Sequence, residues 1–354
     1  MSAGVPTFLP WQLDVARAWL GRRERFAHAW LIHGLAGIGK ARFAAAAAAS
    51  LLCEAPREGL ACGQCPACTW VASGNHPDLR RVRPDAVALE EDGDLAAPDD
   101  VAGEASAAGT AKKAPSREIR IDQLRALEPW FNTATHRGGW RVALLYPAQA
   151  MNVVSANALL KVLEEPPPNT VFLLVTDAPD RLLPTLVSRC RRLPLAVPDA
   201  AQAEAWLRGQ GVDAPGDWLA AAGGAPLAAL SLAQARAQPC PPWLQQLAQA
   251  LAAGQVPDAG EFAEALEKQP VLNWIDALQR LFVDLMLAAG AGAGPRYYPA
   301  LAQASRRVAA RADPAALSET ARWLASQRAV ANHPLNPRLF AHAALQRVVL
   351  SCQG

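Results

Sequence analysis

Eight consecutive residues constrain this chain more than any others: Gly34-Leu35-Ala36-Gly37-Ile38-Gly39-Lys40-Ala41. They follow the pattern G-x-x-x-x-G-K-[ST] at every defining position except the last. Such a loop works because its glycines let backbone N–H groups close around phosphates, its lysine reaches the outer phosphates, and its hydroxyl ligates Mg²⁺. Ala41 has no oxygen for a metal. Ala29-Trp30-Leu31-Ile32 reads as a short apolar strand before the loop, and the alanine-rich stretch from Ala41 to Leu52 as a helix after it. The fold signal is strong, but from these residues alone phosphate binding competes evenly with a glycine turn that holds no ligand.

The 354 residues allow two or three domains, each able to bury its own core. The longest apolar run, Phe43 to Cys53, is mostly alanine and too short to span a bilayer, and the N-terminus lacks a charged-then-apolar signal pattern. The expected location is the cytoplasm, with no membrane contact. A net charge of +2 gives no broad basic field, so any DNA contact is expected to be shared with partners.

Cys53, Cys62, Cys65 and Cys68 have the spacing C-x8-C-x2-C-x2-C in a segment rich in glycine and proline. Two thiolates separated by two residues can both turn inward on a tight loop, and four satisfy tetrahedral Zn²⁺ at roughly 2.3 Å per bond. With every coordination position filled, the zinc is expected to be structural. Two disulfides are the alternative, and they require an oxidising compartment that nothing in the sequence supports. Cys190, Cys240 and Cys352 are scattered and read as buried or incidental.

From Asp85 to Lys113 the chain is alanine, aspartate, glutamate and glycine with almost no large apolar residue. Such a composition cannot offset the entropy of ordering, so a flexible insertion is expected over 85–116. Arg117 to Ile121 reads as a short strand entering a helix through Leu124, Leu127 and Trp130.

Trp140 to Leu145 is a second apolar strand, about a hundred residues after the loop, where nucleotide hydrolases place an Asp for Mg²⁺ and a Glu to activate water. Here those positions hold Tyr146 and Pro147. Tyrosine is neutral near pH 7 and proline has no polar side-chain atom, so neither replaces a carboxylate. Loss of the hydroxyl at Ala41 and of both carboxylates points to an abandoned activity. Asn152 to Glu164 then reads as a helix with Val153, Ala156, Leu160 and Leu163 on one stripe, stopped by Pro166-Pro167-Pro168. The strand Val171 to Thr176, a helix near Ala178-Pro179-Asp180 and Ser188-Arg189-Cys190 follow. This alternation predicts a parallel sheet covered on both faces.

Asn157 to Pro167, with Ser188-Arg189-Cys190 and the four-cysteine module behind the loop helix, closely resembles the bacterial clamp-loader branch of AAA+ proteins. The resemblance covers roughly residues 8 to 235 by motif, apart from the acidic insertion, and the rest only by helical character. It implies an α/β plus all-α chain: an AAA+ P-loop core with the zinc module at 53–68 (residues 1–195), a small helical lid (196–238), and a helical collar for oligomerisation (239–354). Within this branch the motor subunits have intact nucleotide sites. One member keeps the Ser188-Arg189-Cys190 arginine on a degenerate site, and this chain looks like that member.

The resemblance implies that Arg189 enters the ATP site of a neighbouring motor subunit as an arginine finger; fingers contribute about 10³ to 10⁵ in rate in the best-studied GTPases. Thr176 matches the sensor position at the end of a core strand, and Leu227 the lid position where relatives carry a phosphate-contacting arginine. Lys40 remains, so weak nucleotide or phosphate binding stays open while hydrolysis is not expected. The implied partners are the gamma/tau motor subunits and the delta subunit, with the sliding clamp and primed DNA reached through the complex, a replisome with DNA-directed DNA polymerase activity at the nucleoid. Two other readings stay open at this stage: an active ATPase of the same superfamily, and a zinc-dependent DNA-binding module, which the weak net charge disfavours.

Overall fold

The computed structural model describes residues 4–21, 26–92, 114–235, 238–290, 294–330 and 336–353. The chain divides into two compact units, Met1–Val197 and Pro198–Gly354.

The first unit is built on a parallel sheet of β1 (Ala29–His33), β2 (Leu79–Val82), β3 (Arg141–Leu145), β4 (Thr170–Thr176) and β5 (Arg191–Pro194), in the order β2-β3-β4-β1-β5. β1, β3 and β4 are apolar except at their ends (His33, Arg141, Thr170 and Thr176), as strands buried on both faces should be. Register aligns Leu31 with Leu174 and Leu174 with Leu145, so alternate residues form rows across the sheet. One row, with Ala29, Ala143 and Phe172, packs against Leu124, Leu127, Trp130, Leu159, Leu163 and Leu186. These come from α5 (Ile121–Arg125), α6 (Glu128–Phe131), α7 (Val153–Glu164) and α8 (Pro184–Ser188).

α1 (Leu13–Leu20) and α2 (Lys40–Leu52) form a second layer, in which Trp19 meets Trp30 of β1 at 5.2 Å and Phe43 of α2 at 5.6 Å between ring centroids. Ala44 and Ala46 to Ala49 are fully buried, so α2 combines the best helix former with side chains small enough for close approach to the sheet. α3 (Pro66–Ala72) carries the last cysteine of the module, and α4 (Asp85–Asp92) follows β2.

Three local expectations change. Residues 85–92 are helical, not a flexible start to the insertion; Ala86 N–H donates to Ser116 O at 3.0 Å, and exposed Glu91 accepts from buried Tyr146, as described below. Residues 93–113 lie outside the described residues. The strand expected over 117–121 is reduced to one bridge between Ile119 and Met151, because Arg120 caps α5 through the Gln123 side chain and turns the backbone into helix. On α7 the buried positions are Ser155, Ala156, Leu159 and Leu163, while Val153 is 61% exposed. Ser155 donates its hydroxyl to Ile119 O at 2.8 Å, an inward polar contact that hydrophobic periodicity cannot anticipate.

The second unit is helical. α9 (Ala200–Gly209), α10 (Pro215–Ala221) and α11 (Pro226–Gln234) gather Ala203, Leu207, Leu219 and Ala229 into a small core. α12 (Pro242–Ala252), α13 (Ala259–Leu266), α14 (Val271–Gly290), α15 (Ala302–Ala309), α16 (Pro314–Val330) and α17 (Pro337–Ser351) share a larger one around Trp274, Leu278, Phe282 and Leu345. Within it the fully buried Asp284 accepts the backbone N–H groups of Arg296 at 2.7 Å, Tyr297 at 3.0 Å and Tyr298 at 2.8 Å, satisfying a charge that burial alone would penalise. Among the described residues no helix is long and apolar enough to cross a membrane.

Candidate functional site

The loop between β1 and α2 turns on three glycines at positive φ, Gly34, Gly37 and Gly39. Gly39 (φ 90°) caps α2, and at Gly34 (φ 153°) a Cβ would lie 2.4 Å from the Leu195 carbonyl oxygen, so only glycine fits. Gln12, buried in the preceding turn, donates to Ile38 O at 3.1 Å and Gly39 O at 3.0 Å, and Trp11 Nε1 donates to Ile38 O at 3.1 Å. The loop is thus held from outside as well as by its own turns.

Lys40 is only 4% exposed, and its ammonium is directed at protein acceptors. It donates to Leu35 O at 2.5 Å and pairs with the carboxylate of Asp177, immediately beyond β4. A lysine that serves phosphate in an occupied loop is here compensated by the loop's own carbonyl and an internal carboxylate. Ala41, the next residue of α2, adds no metal ligand.

At the end of β3, Tyr146 and Pro147 stand at the expected carboxylate positions and are joined by a cis peptide bond. The Tyr146 hydroxyl donates to Glu91 Oε2 at 2.5 Å and accepts from Arg83 at 2.9 Å, while Arg83 also pairs with Glu91. Burial, and then the hydrogen bond to Glu91, push the Tyr146 pKa up to about 12. The phenol is therefore a neutral structural link between β3 and α4. Thr176 donates to Gln149 Oε1 at 2.7 Å and accepts from Ala178 N–H at 3.1 Å, as a satisfied strand terminus does.

Arg189 caps the five-residue α8, with its backbone fixed between buried Leu186 and buried Cys190. Its side chain is 36% exposed; Nη1 donates to Thr185 O at 3.0 Å and Nη2 pairs with Glu164, the last residue of α7. Leu227 lies in the second unit, in the first turn of α11, and offers no charge.

The four cysteines converge. Their Sγ atoms all lie within 4.8 Å of one another, with Cys53 to Cys65 at 3.9 Å and Cys62 to Cys68 at 4.0 Å. A tetrahedral ion with bonds of about 2.3 Å requires sulfur–sulfur edges of about 3.8 Å, whereas a disulfide requires about 2.05 Å. All four thiols are free. Backbone N–H groups of Gln64 and Cys65 point at Cys62 Sγ at 3.5 and 3.4 Å and hold its pKa down to about 6, while burial pushes Cys53 and Cys68 up. A divalent cation held by Cys53, Cys62, Cys65 and Cys68 would supply the charge that lets the two buried sulfurs ionise. The arrangement can hold a metal ion and leaves no coordination position for a substrate.

Sequence comparison places these features in a family. The profile described as "DNA polymerase III, delta subunit" matches residues 20–199, just over half of the chain. The delta prime subunit of DNA polymerase III from Yersinia pestis is 32% identical over 77% of this chain and 72% of the relative. The chain belongs to the DNA polymerase III delta prime family. The family's Pseudomonas aeruginosa protein is 40% identical over 63% of this chain; the chain matches 60% of that relative's length. Among solved structures, a gamma subunit-related protein from Thermotoga maritima aligns over 97% of this chain and 100% of its own, at 14% identity and a TM-score of 0.42.

In this delta prime family member the site includes residues that sequence reading did not single out as partners: Asp177 for Lys40, Glu164 for Arg189, and Arg83 with Glu91 for Tyr146. Only Glu164 carried a local signal, as an acidic residue closing a helix, where the dipole disfavours negative charge.

Proposed function

We propose that the chain is the delta prime subunit of the DNA polymerase III clamp loader, a non-hydrolysing stator that helps place the sliding clamp on primed DNA and supplies Arg189 to a neighbouring motor subunit's ATP site. The observation that carries the reading is the state of Lys40, held by Leu35 O and Asp177, in a chain whose Ala41, Tyr146 and Pro147 supply no carboxylate for a metal or as a base. Family membership supports the partners: gamma/tau motor subunits, the delta subunit, and through them clamp and DNA, at the cytoplasmic replisome. Residues 196–238 serve as lid and 239–354 as collar in this proposal, and the four cysteines hold a structural zinc that cross-links the segment after α2.

Purified protein incubated with ATP and Mg²⁺ is expected to show no turnover, and to be retained by the motor and delta subunits in a pull-down. Hydrolysis at a rate comparable to motor subunits overturns the proposal. One zinc per chain is expected on metal analysis of undenatured protein, and chelation should lower the unfolding temperature. Absence of metal would remove the assignment of Cys53, Cys62, Cys65 and Cys68.

A further inference from the structure

Arg189 and Glu164 form an ion pair between elements that are otherwise set by buried apolar anchors. Both side chains are substantially exposed, at 36% and 51%, and a pair in that setting contributes little to stability. Glu164 also sits where its charge is unfavourable: it is the last residue of α7, next to Glu165 and ahead of three prolines. A carboxylate that breaks a local rule without a stability return is expected at a functional site. Its partner Arg189 is also held by Thr185 O, so two guanidinium nitrogens are engaged, while a guanidinium carries five N–H donors and the side chain is 36% exposed.

We infer that Glu164 is a positioning residue for Arg189: it holds the guanidinium in a single orientation before the neighbouring subunit's nucleotide arrives. This rests on the proposed finger role of Arg189. An unrestrained arginine must lose rotamer freedom when it docks, and a side chain ordered in advance loses less. Glu164 touches no nucleotide in this scheme; it acts only through Arg189. The class of ligand that reads the arrangement is the terminal phosphate group of a nucleoside triphosphate bound to the partner, approached by the donors that Glu164 and Thr185 leave free.

The test is a double-mutant cycle in the reconstituted clamp-loader complex, with ATP turnover resolved into kcat and KM for wild type, Glu164→Ala, Arg189→Ala and the double variant. Glu164→Ala is expected to lower kcat about three- to tenfold with KM unchanged. The double variant should match Arg189→Ala, and Glu164→Gln, which keeps an acceptor, should recover part of the loss. Unfolding curves of the single variants verify that the fold is retained. If Arg189→Ala slows turnover while Glu164→Ala leaves kcat unchanged or raises it, the positioning role is overturned and the finger stands. Additive losses in the double variant overturn it as well. If Arg189→Ala itself leaves turnover unchanged, the finger falls and the positioning role falls with it.

Discussion

Among the basic residues of the first unit that end on carboxylates, Lys40 and Arg189 have opposite surroundings. Lys40 is 4% exposed and faces Asp177 and a carbonyl of its own loop; Arg189 is 36% exposed and faces Glu164 at a corner between two short connections. The lysine is compensated where a nucleotide would have compensated it. The arginine has two contacts for its five N–H donors and is more than a third exposed. In the proposed reading, a scaffold of this kind gives up its own chemistry and still offers Arg189 to another site, because the same loop, sheet and α8 can hold different side-chain partners.

The comparison breaks first at Arg189. With the proposed finger role, Arg189→Ala should lower turnover at the partner site on the order of 10³-fold, read as ATP hydrolysis by the reconstituted complex, while leaving its own unfolding midpoint unchanged. The Lys40 pair should respond in stability instead. Asp177→Ala leaves a buried ammonium with one carbonyl partner and is expected to cost about 2–4 kcal/mol in denaturant unfolding. Lys40→Ala leaves a carboxylate that water can reach, and should cost less, about 1–2 kcal/mol. Equal losses, or a turnover defect from Lys40→Ala in the complex, would erase the distinction between the two corners.

The smallest effect concerns Tyr146. Its raised pKa means that the folded state retains the phenolic proton longer than the unfolded state, where the reference value is about 10. The resulting stability is fully present below pH 10 and is lost as pH rises through about 12. Tyr146→Phe is expected to flatten that part of the stability profile and to cost about 1 kcal/mol at neutral pH, measured by thermal unfolding across the window. An unchanged alkaline profile would mean that the Arg83–Glu91–Tyr146 cluster does not hold α4 in solution.

Residue type and short spacing determined much of this protein. The glycines from Gly34 to Gly39 require positive φ or close backbone approach, the C-x2-C-x2-C run places three sulfurs within one turn and a helix start, and Ala41, Tyr146 and Pro147 lack a carboxylate in any conformation. The β1 and β4 runs were legible for the same reason: a strand buried on both faces has no polar alternation to misread. The stripe on α7 was not, because Ser155 turns inward to satisfy Ile119 O and takes Val153 out of the core.

Only the tertiary structure decided what the charged residues do. Lys40 meets Asp177 because β1 and β4 are hydrogen-bonded neighbours, although most of the first unit separates them along the chain. Arg189 meets Glu164 across 25 residues, and Tyr146 meets Arg83 across 63. No local periodicity encodes such pairings; sheet order and helix packing do, and those depend on the whole hydrophobic core forming at once. The sequence by itself determined which groups the loop lacks, and the fold decided which charge is buried against a partner and which stays exposed.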